Sequence, residues 1–359
     1  MKKILAIVQH RKGRSPGQRF RFEHFIPYLE ENGYQITYSN LLNETEDKIF
    51  YSQGKYFSKA LIIIQSFFRR LKDLKRLNEF DIVYVYREAF WLGTVFFERQ
   101  FSRKKPMIFD YDDAIWLNDT SDGNKAFSWL KRTSKTGDIC RLADVVIVGN
   151  EYLAEYAQKY NDNVVVIPTT IDTNYHKPDL EKETKDKICI GWTGTETTLK
   201  HFDIAIPVLK KIKEKFGDKV YFKVIVNTQN WERDIDVKLS KWTLRNEISD
   251  LLEFDIGIMP LPDDKWSRGK CGFKGLQCMS LGIPVIMSPV GVNVEIIKNG
   301  ENGFLASHDD QWFDCLTNLI INPELRKILG ENGRKTVVDR YSVLVWKSKF
   351  LKIFDELLI

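Results

Sequence analysis

Arg268, Lys270 and Lys274 alternate with Gly269, Gly272 and Gly275 in the stretch 267–293, SRGKCGFKGLQCMSLGIPVIMSPVGVN. Glycines let backbone approach a ligand closely, and the N–H groups that open a helix attract anions. Three cations in the same loop and first turn add to that attraction. An apolar run, FDIGIMPL at 254–261, reads as the strand that precedes the loop. A helix is predicted from about Phe273; Gly282 suits the left-handed position past its end, and 285–288 reads as the next strand. Within that helix Lys274 and Gln277 lie three apart and share a face. Strand, glycine-rich loop, helix, strand is the repeating unit of a parallel α/β sheet. The chemistry that fits is capture of a diphosphate. The competing reading is a solvated basic loop between two buried elements.

Similar units recur along the chain. Residues 3–8 (KILAIV) read as a first strand, followed by a loop over 9–18 rich in Arg, Lys, Gly and Pro, and a helix over 19–32 ended by Gly33. That order places Gly17, Arg19 and Arg21 where a first strand–helix loop faces the carboxyl edge of a sheet, the edge at which open α/β sheets bind ligands. A strand over 80–86 delivers Arg87, and one over 107–109 delivers Asp110, Tyr111, Asp112 and Asp113. Strands over 143–148 and 163–167 complete a first half, and the polar stretch 177–187 reads as a linker. The second half starts again with a strand at 188–192, then Thr193-Gly194-Thr195, a helix over 200–216 and a strand over 220–226. The fold class expected is α/β, two Rossmann-like domains facing each other across a cleft.

With 359 residues the chain is long enough for two cores, and its net charge of +5 is mild. Such a balance suits anionic small molecules or an anionic membrane surface and falls short of a nucleic-acid coat. Five scattered cysteines form no CxxC pair, which points to neither a disulfide framework nor a zinc site. The start MKKILAIVQH is too short an apolar run for a signal peptide, and no stretch of about 18 apolar residues spans a bilayer, so a cytoplasmic protein is expected. Neither first strand is followed by GxGxxG, which argues against a dinucleotide enzyme. The segment 55–76 mixes aromatic and aliphatic residues with Arg69, Arg70, Lys72 and other cations. It fits a helix lying on an anionic membrane, or a core-packed helix with a solvated basic face.

Three segments in order, VIPTTIDTNYHKP, GWTGTETTLKHF and GFKGLQCMSLGIPVIMSPVGVNVEIIKNGENGFL, resemble the GT-B glycosyltransferases, and within them the family-4 group of retaining enzymes. The resemblance implies an N-terminal acceptor domain over 1–175, with a final helix 341–359 packing back on it, and a nucleotide-sugar donor domain over 186–340. It implies transfer of a sugar from a nucleotide-diphosphate sugar to a glycan or lipid-linked acceptor in polysaccharide or cell-envelope glycan synthesis. No metal and no cofactor are expected. The diphosphate falls to Arg268, Lys270, Lys274 and Lys200, with amides near Gly272 and Phe273. The family's two glutamates, eight positions apart, map to Gly269 and Gln277. Gln277 keeps hydrogen-bonding capacity toward a ribose, and Gly269 keeps none through a side chain. Gly194, Thr195, Gly291, Val292, Asn293 and Glu295 are the other donor-side positions; Gly17, Arg19, Arg21 and Arg87 are acceptor-side. Asp112 and Asp113 are the candidate catalytic pair, orienting the acceptor hydroxyl or steadying positive charge on the sugar ring, unless they cap the following AIW segment. Adjacent residues in strand geometry point opposite ways, which argues against a metal shared by them. A lipid-linked acceptor would bring 55–76 to the inner membrane face. Two other readings fit the sequence: a nucleotide-sugar-binding protein without catalysis, and another GT-B enzyme such as an epimerase.

Overall fold

The computed structural model describes residues 1–117, 132–179, 186–228 and 230–358. Two compact units emerge, one formed by 1–170 with 346–359, the other by 171–345.

The first unit runs β1 (Lys2–Val8), α1 (Pro16–Arg21), α2 (Ile26–Glu31), β2 (Tyr34–Asn40), α3 (Glu44–Phe50), α4 (Tyr56–Lys75), β3 (Ile82–Tyr86), α5 (Phe96–Ser102), β4 (Met107–Tyr111), α6 (Lys135–Leu142), β5 (Val145–Val148), α7 (Glu151–Ala157) and β6 (Val164–Val166). The strands pair in the order β2-β1-β3-β4-β5-β6, all parallel. Every residue of β3, β4 and β5 is buried, as expected where helices cover both faces of a parallel sheet. The predicted helix over 19–32 is two helices. Pro27 has no N–H to donate one turn back and can sit only in a first turn, so a new helix starts around it.

The second unit runs β7 (Ile188–Thr193), α8 (Leu199–Asp203), α9 (Ile206–Phe216), β8 (Val220–Val226), β9 (Lys238–Lys241), α10 (Glu247–Leu252), β10 (Ile256–Met259), α11 (Lys265–Arg268), α12 (Phe273–Ser280), β11 (Val285–Met287), α13 (Asn293–Ile296), β12 (Phe304–Leu305), α14 (Asp309–Ile321) and α15 (Pro323–Thr336). Its order is β12-β11-β10-β7-β8-β9, again parallel throughout. The order in which strands are added therefore reverses between β7 and β10, the switch point of a doubly wound sheet. In the first unit the switch lies between β1 and β3. The edge strand β9, KLSK, carries too little apolar pattern to be read from sequence.

A last helix, α16 (Val343–Glu356), leads the chain back to the first unit from Trp346. Its Phe350 stacks on Phe25 with centroids 4.3 Å apart, and Tyr34 Oη donates to Asp355 Oδ1 at 2.7 Å. Among the described residues no helix is long and apolar enough to cross a membrane.

Helix α4 reverses the expected orientation. Arg70 is wholly buried, donating to the carbonyls of Ala89 (2.6 Å), Ser39 (3.1 Å) and Val8 (3.0 Å) and pairing with Asp73 at 2.9 Å. Arg69 grips Glu46, with Nη1 2.8 Å from Oε2. Arg69 and Arg70, two of the cations expected to face a membrane, thus point inward. Removing one partner of a buried, hydrogen-bonded ion pair leaves its mate uncompensated, so Arg70→Ala should lose about 3–5 kcal/mol of stability. Arg76→Ala, which breaks an exposed pair with Glu79 that solvent screens, should leave stability close to wild type. Urea denaturation of the two variants checks the contrast, and equal midpoints would refute it.

Candidate functional site

At the carboxyl edge of the second sheet, the chain leaves β10, forms the short α11 capped by Asp264 (Ser267 N–H to Oδ1, 2.7 Å), and enters α12 through Gly272 at φ +67°. The left-handed φ favours glycine at this position, and a Cβ there would also meet Ile296 Cδ1 at 2.2 Å and oblige that side chain to move. Gly291, at φ +55°, lies against the backbone of Arg268; a Cβ there would meet its carbonyl oxygen at 2.7 Å. The loops after β10 and β11 are thereby locked together. Lys274 Nζ lies 5.6 Å from the centre of the Trp192 ring and Lys270 Nζ 4.9 Å from that of Trp266.

Lys200, Lys270 and Lys274 converge on His201. Burial first, then Lys274, Lys270 and Lys200, lower its pKa to about 4, with Asp264 opposing. The three lysines thus act together on one buried imidazole and hold it in its neutral form. Four buried polar atoms lie on the segments that build this edge: Trp192 Nε1, His201 Nδ1, Ser267 Oγ and Asn293 Oδ1 have no hydrogen-bond partner. Asn293 Nδ2 is already committed to Ser288 O at 2.9 Å, which leaves the oxygen as its open end. Buried polar groups are nearly always satisfied, so several orphans on one edge call for an explanation. A polar ligand supplies one.

Other donor-side expectations are met differently. Gln277 is buried, and its Nε2 donates to Glu247 Oε1 at 3.3 Å, an oxygen also approached by Trp242 Nε1 at 3.3 Å. The carboxylate absent at position 277 is thus present beside it on α10, thirty positions earlier, where no local motif announces it. Arg268 is exposed and gives Nε and Nη2 to Asp263 at 2.8 and 3.1 Å. The amides expected at 291–293 are partly spent, since Asn293 N–H bonds Val290 O at 3.2 Å, and α13 has only four residues. Val292 is buried. Glu295 is exposed on α13, and its carbonyl accepts from Arg340. Gly194 donates to Ile225 O, and Thr195 caps the turn that follows.

The first unit concentrates charge at its own carboxyl edge. Arg87, at the end of β3, has φ +63°, a rare conformation for a residue with a side chain. Its Nη2 reaches Asp112 Oδ1 at 2.8 Å and Asp113 Oδ2 at 2.5 Å, and Tyr86 Oη donates to the same Asp112 oxygen at 2.8 Å. The two aspartates were expected to point opposite ways. They do not, because β4 ends at Tyr111 and strand alternation ends with it. Gly17 keeps this corner open: a Cβ there would lie 2.4 Å from Tyr86 Oη and 2.8 Å from Asp112 Oδ2.

Arg21 is a correction. Its guanidinium is buried against Asp110, with Nε at 3.0 Å and Nη2 at 2.8 Å from Oδ1, while Tyr84 Oη holds the other oxygen at 2.7 Å. Burial pushes the Asp110 pKa up to about 6 against the pull of Arg21 and Tyr84. This is core structure, not an acceptor contact. Arg19 is also buried, 4.5 Å from the Phe20 ring centre. Sequence reasoning missed His10 at the same edge; burial, above all, lowers its pKa to about 4, with Asp47 opposing.

Residues 261–336 match the model of the family described as "Glycosyl transferases group 1". An uncharacterized glycosyltransferase of Methanocaldococcus jannaschii is 24% identical over 221 residues, which is 54% of this chain and 60% of that protein. The capsular polysaccharide biosynthesis glycosyltransferase CapM of Staphylococcus aureus is 25% identical over 189 residues, 49% of this chain and 48% of that one. The chain thus spans less than two thirds of the length of either relative. The structure of Anabaena HepE in complex with UDP and glucose superposes with a TM-score of 0.68 at 12% identity, covering 99% of this chain and 100% of that one. Both units together therefore have the GT-B fold.

His201 offers a direct reading of the lysine-rich edge. An anion bound among the lysines favours the imidazolium, so saturation with inorganic pyrophosphate should raise the His201 pKa from about 4. An NMR titration of the histidine ring protons, with and without pyrophosphate, measures this. A pKa that does not move would separate the lysines from anion binding.

Proposed function

From the group 1 glycosyltransferase match at residues 261–336 and the GT-B fold, we propose that the protein transfers a sugar from a nucleotide-diphosphate sugar to a glycan or lipid-linked acceptor in polysaccharide or cell-envelope glycan synthesis. The reading includes retention at the anomeric carbon and no requirement for a metal ion. One observation carries it: Lys200, Lys270 and Lys274 converge on an edge that also holds four buried polar atoms lacking a partner and a helix opened by a left-handed glycine.

In this reading the departing nucleoside diphosphate is the chemical problem that the second unit solves. Lysine ammonium groups and the amides that open α12 are fixed before the reaction and aimed where negative charge grows, which lowers the barrier without reorganisation. Asn293 Oδ1 and Ser267 Oγ supply open hydrogen-bonding atoms on the same loops. Gln277 and Glu247 form one buried amide–carboxylate pair, and together they stand in for the family's missing ribose glutamate. In the first unit Arg87 holds Asp112 and Asp113 as a fixed acidic pair, which orients an acceptor hydroxyl or steadies positive charge on the sugar ring. The HepE complex contains UDP and glucose, so uridine diphosphate is the first ligand to try. CapM acts in capsular polysaccharide biosynthesis, so an envelope glycan precursor is the first acceptor.

A panel of nucleoside diphosphates, scored by the rise in melting temperature, tests the donor site. Lys270→Ala should weaken binding of the stabilising nucleotide by about ten- to a hundredfold, the loss of one charge-assisted contact. Equal affinity would remove Lys270 from the site. Asp112→Asn should bind nucleotide like wild type and transfer sugar at least about tenfold more slowly. Turnover of the donor with no acceptor present would favour an epimerase, and binding without turnover on any acceptor would favour a non-catalytic protein.

A further inference from the structure

Helix α4 turns its polar side inward and its apolar side out. Lys59, Ser66, Arg70 and Asp73 are buried together with Ile62, whereas Phe57, Leu61, Ile64 and Phe68 are exposed, Phe57 at 85% and Phe68 at 62%. The exposed four fall at steps of four, three and four residues, a single stripe along a 3.6-residue helix. The buried set is offset by about half a turn, so the two rows occupy opposite faces. Helix α5 packs beside α4 through Phe67 and Phe97, whose ring centres are 5.2 Å apart, and carries the exposed Phe96 next to Phe97 at 5.3 Å. Contiguous exposed apolar surface of this kind marks an interaction site.

What covers it is indicated by charge. Lys72 and Lys75 close the carboxyl end of the stripe, and Arg99 with Arg103 are exposed on and just beyond α5. The acids of the two helices, Asp73 and Glu98, are buried. Every exposed charge on α4 and α5 is therefore cationic. A row of aromatic and aliphatic side chains flanked by cations matches the boundary between acyl chains and anionic headgroups.

We propose that the exposed face of α4, extended by Phe96, docks the protein on an anionic lipid bilayer, with Phe57, Leu61, Ile64 and Phe68 entering the headgroup boundary and Lys72, Lys75, Arg99 and Arg103 meeting lipid phosphates. Arg69 and Arg70 take no part, since both are committed to the inside of the unit. The docking stands independently of the sugar-transfer reading.

The full chain is mixed with vesicles of phosphatidylcholine alone or with phosphatidylglycerol, and pelleted. The protein should sediment with the anionic vesicles and leave them in 1 M salt, where the Debye length is about 3 Å. The triple variant Phe57→Ser, Ile64→Ser, Phe68→Ser should partition at least about a hundredfold less, and Lys72→Glu with Lys75→Glu and Arg99→Glu comparably less. Melting temperatures equal to wild type show that the variants fold. Wild type remaining in the supernatant at low salt overturns the proposal, as does a stripe variant that binds undiminished. Sedimentation velocity without lipid provides a third readout: a dimer that the stripe variant abolishes would assign the face to a second copy of the chain and overturn the bilayer reading.

Discussion

Parallel strands cannot be joined by tight turns, and this one constraint arranges everything functional in the molecule. Each crossover returns the chain to the start of the next strand, so every loop leaving a strand emerges at the same edge of its sheet. Residues far apart in sequence are gathered there without any local signal between them. In the first unit that edge collects Gly17, Arg87 and Asp112–Asp113 from the ends of β1, β3 and β4. In the second it collects Trp192, Lys200, Lys270, Lys274 and Asn293 from the ends of β7, β10 and β11. The reversals between β1 and β3, and between β7 and β10, part neighbouring loops and leave room for a ligand.

The two edges are electrostatically different. In the first unit Arg87 is answered by two carboxylates, Arg21 by Asp110 and Arg14 by Asp47 (Nε to Oδ2, 2.5 Å). Those charges hold one another in fixed geometry, a property suited to orienting groups. In the second unit Lys274, Lys270 and Lys200 lower the pKa of His201 and Asp264 raises it. An anion bound among these lysines would favour the imidazolium. The contrast fits a unit that positions one reactant and a unit that takes up a departing diphosphate.

Sequence revealed the strands and the glycine-rich loop because both depend on local chemistry. Runs such as IVYVY and VVIV can be buried on two faces, and Gly272 and Gly282 do take positive φ. It failed where the outcome depends on a distant partner. Nothing near Arg21 announces Asp110, and nothing near Gln277 announces Glu247. Asp112 and Asp113 lie one and two residues past the end of β4 at Tyr111, where strand alternation no longer sets side-chain direction. The edge strand β9 was missed because its exposed lysines hide the pattern.

Helix α4 shows why amphipathicity names two faces without saying which goes in. At this edge the carbonyls of Val8, Ser39 and Ala89 all accept from the Arg70 guanidinium, Val8 in addition to its bond from Leu41 N–H at 3.2 Å. Arg70 supplies these bonds from one rigid fork, and Asp73 balances its charge. Ser66 Oγ donates to Leu41 O in the same way. An apolar face turned inward would remove these charge-assisted bonds and cover polar backbone with nothing to pair with it. The polar face therefore packs against the sheet edge. Phe57, Leu61, Ile64 and Phe68 point outward as the geometric remainder of that choice.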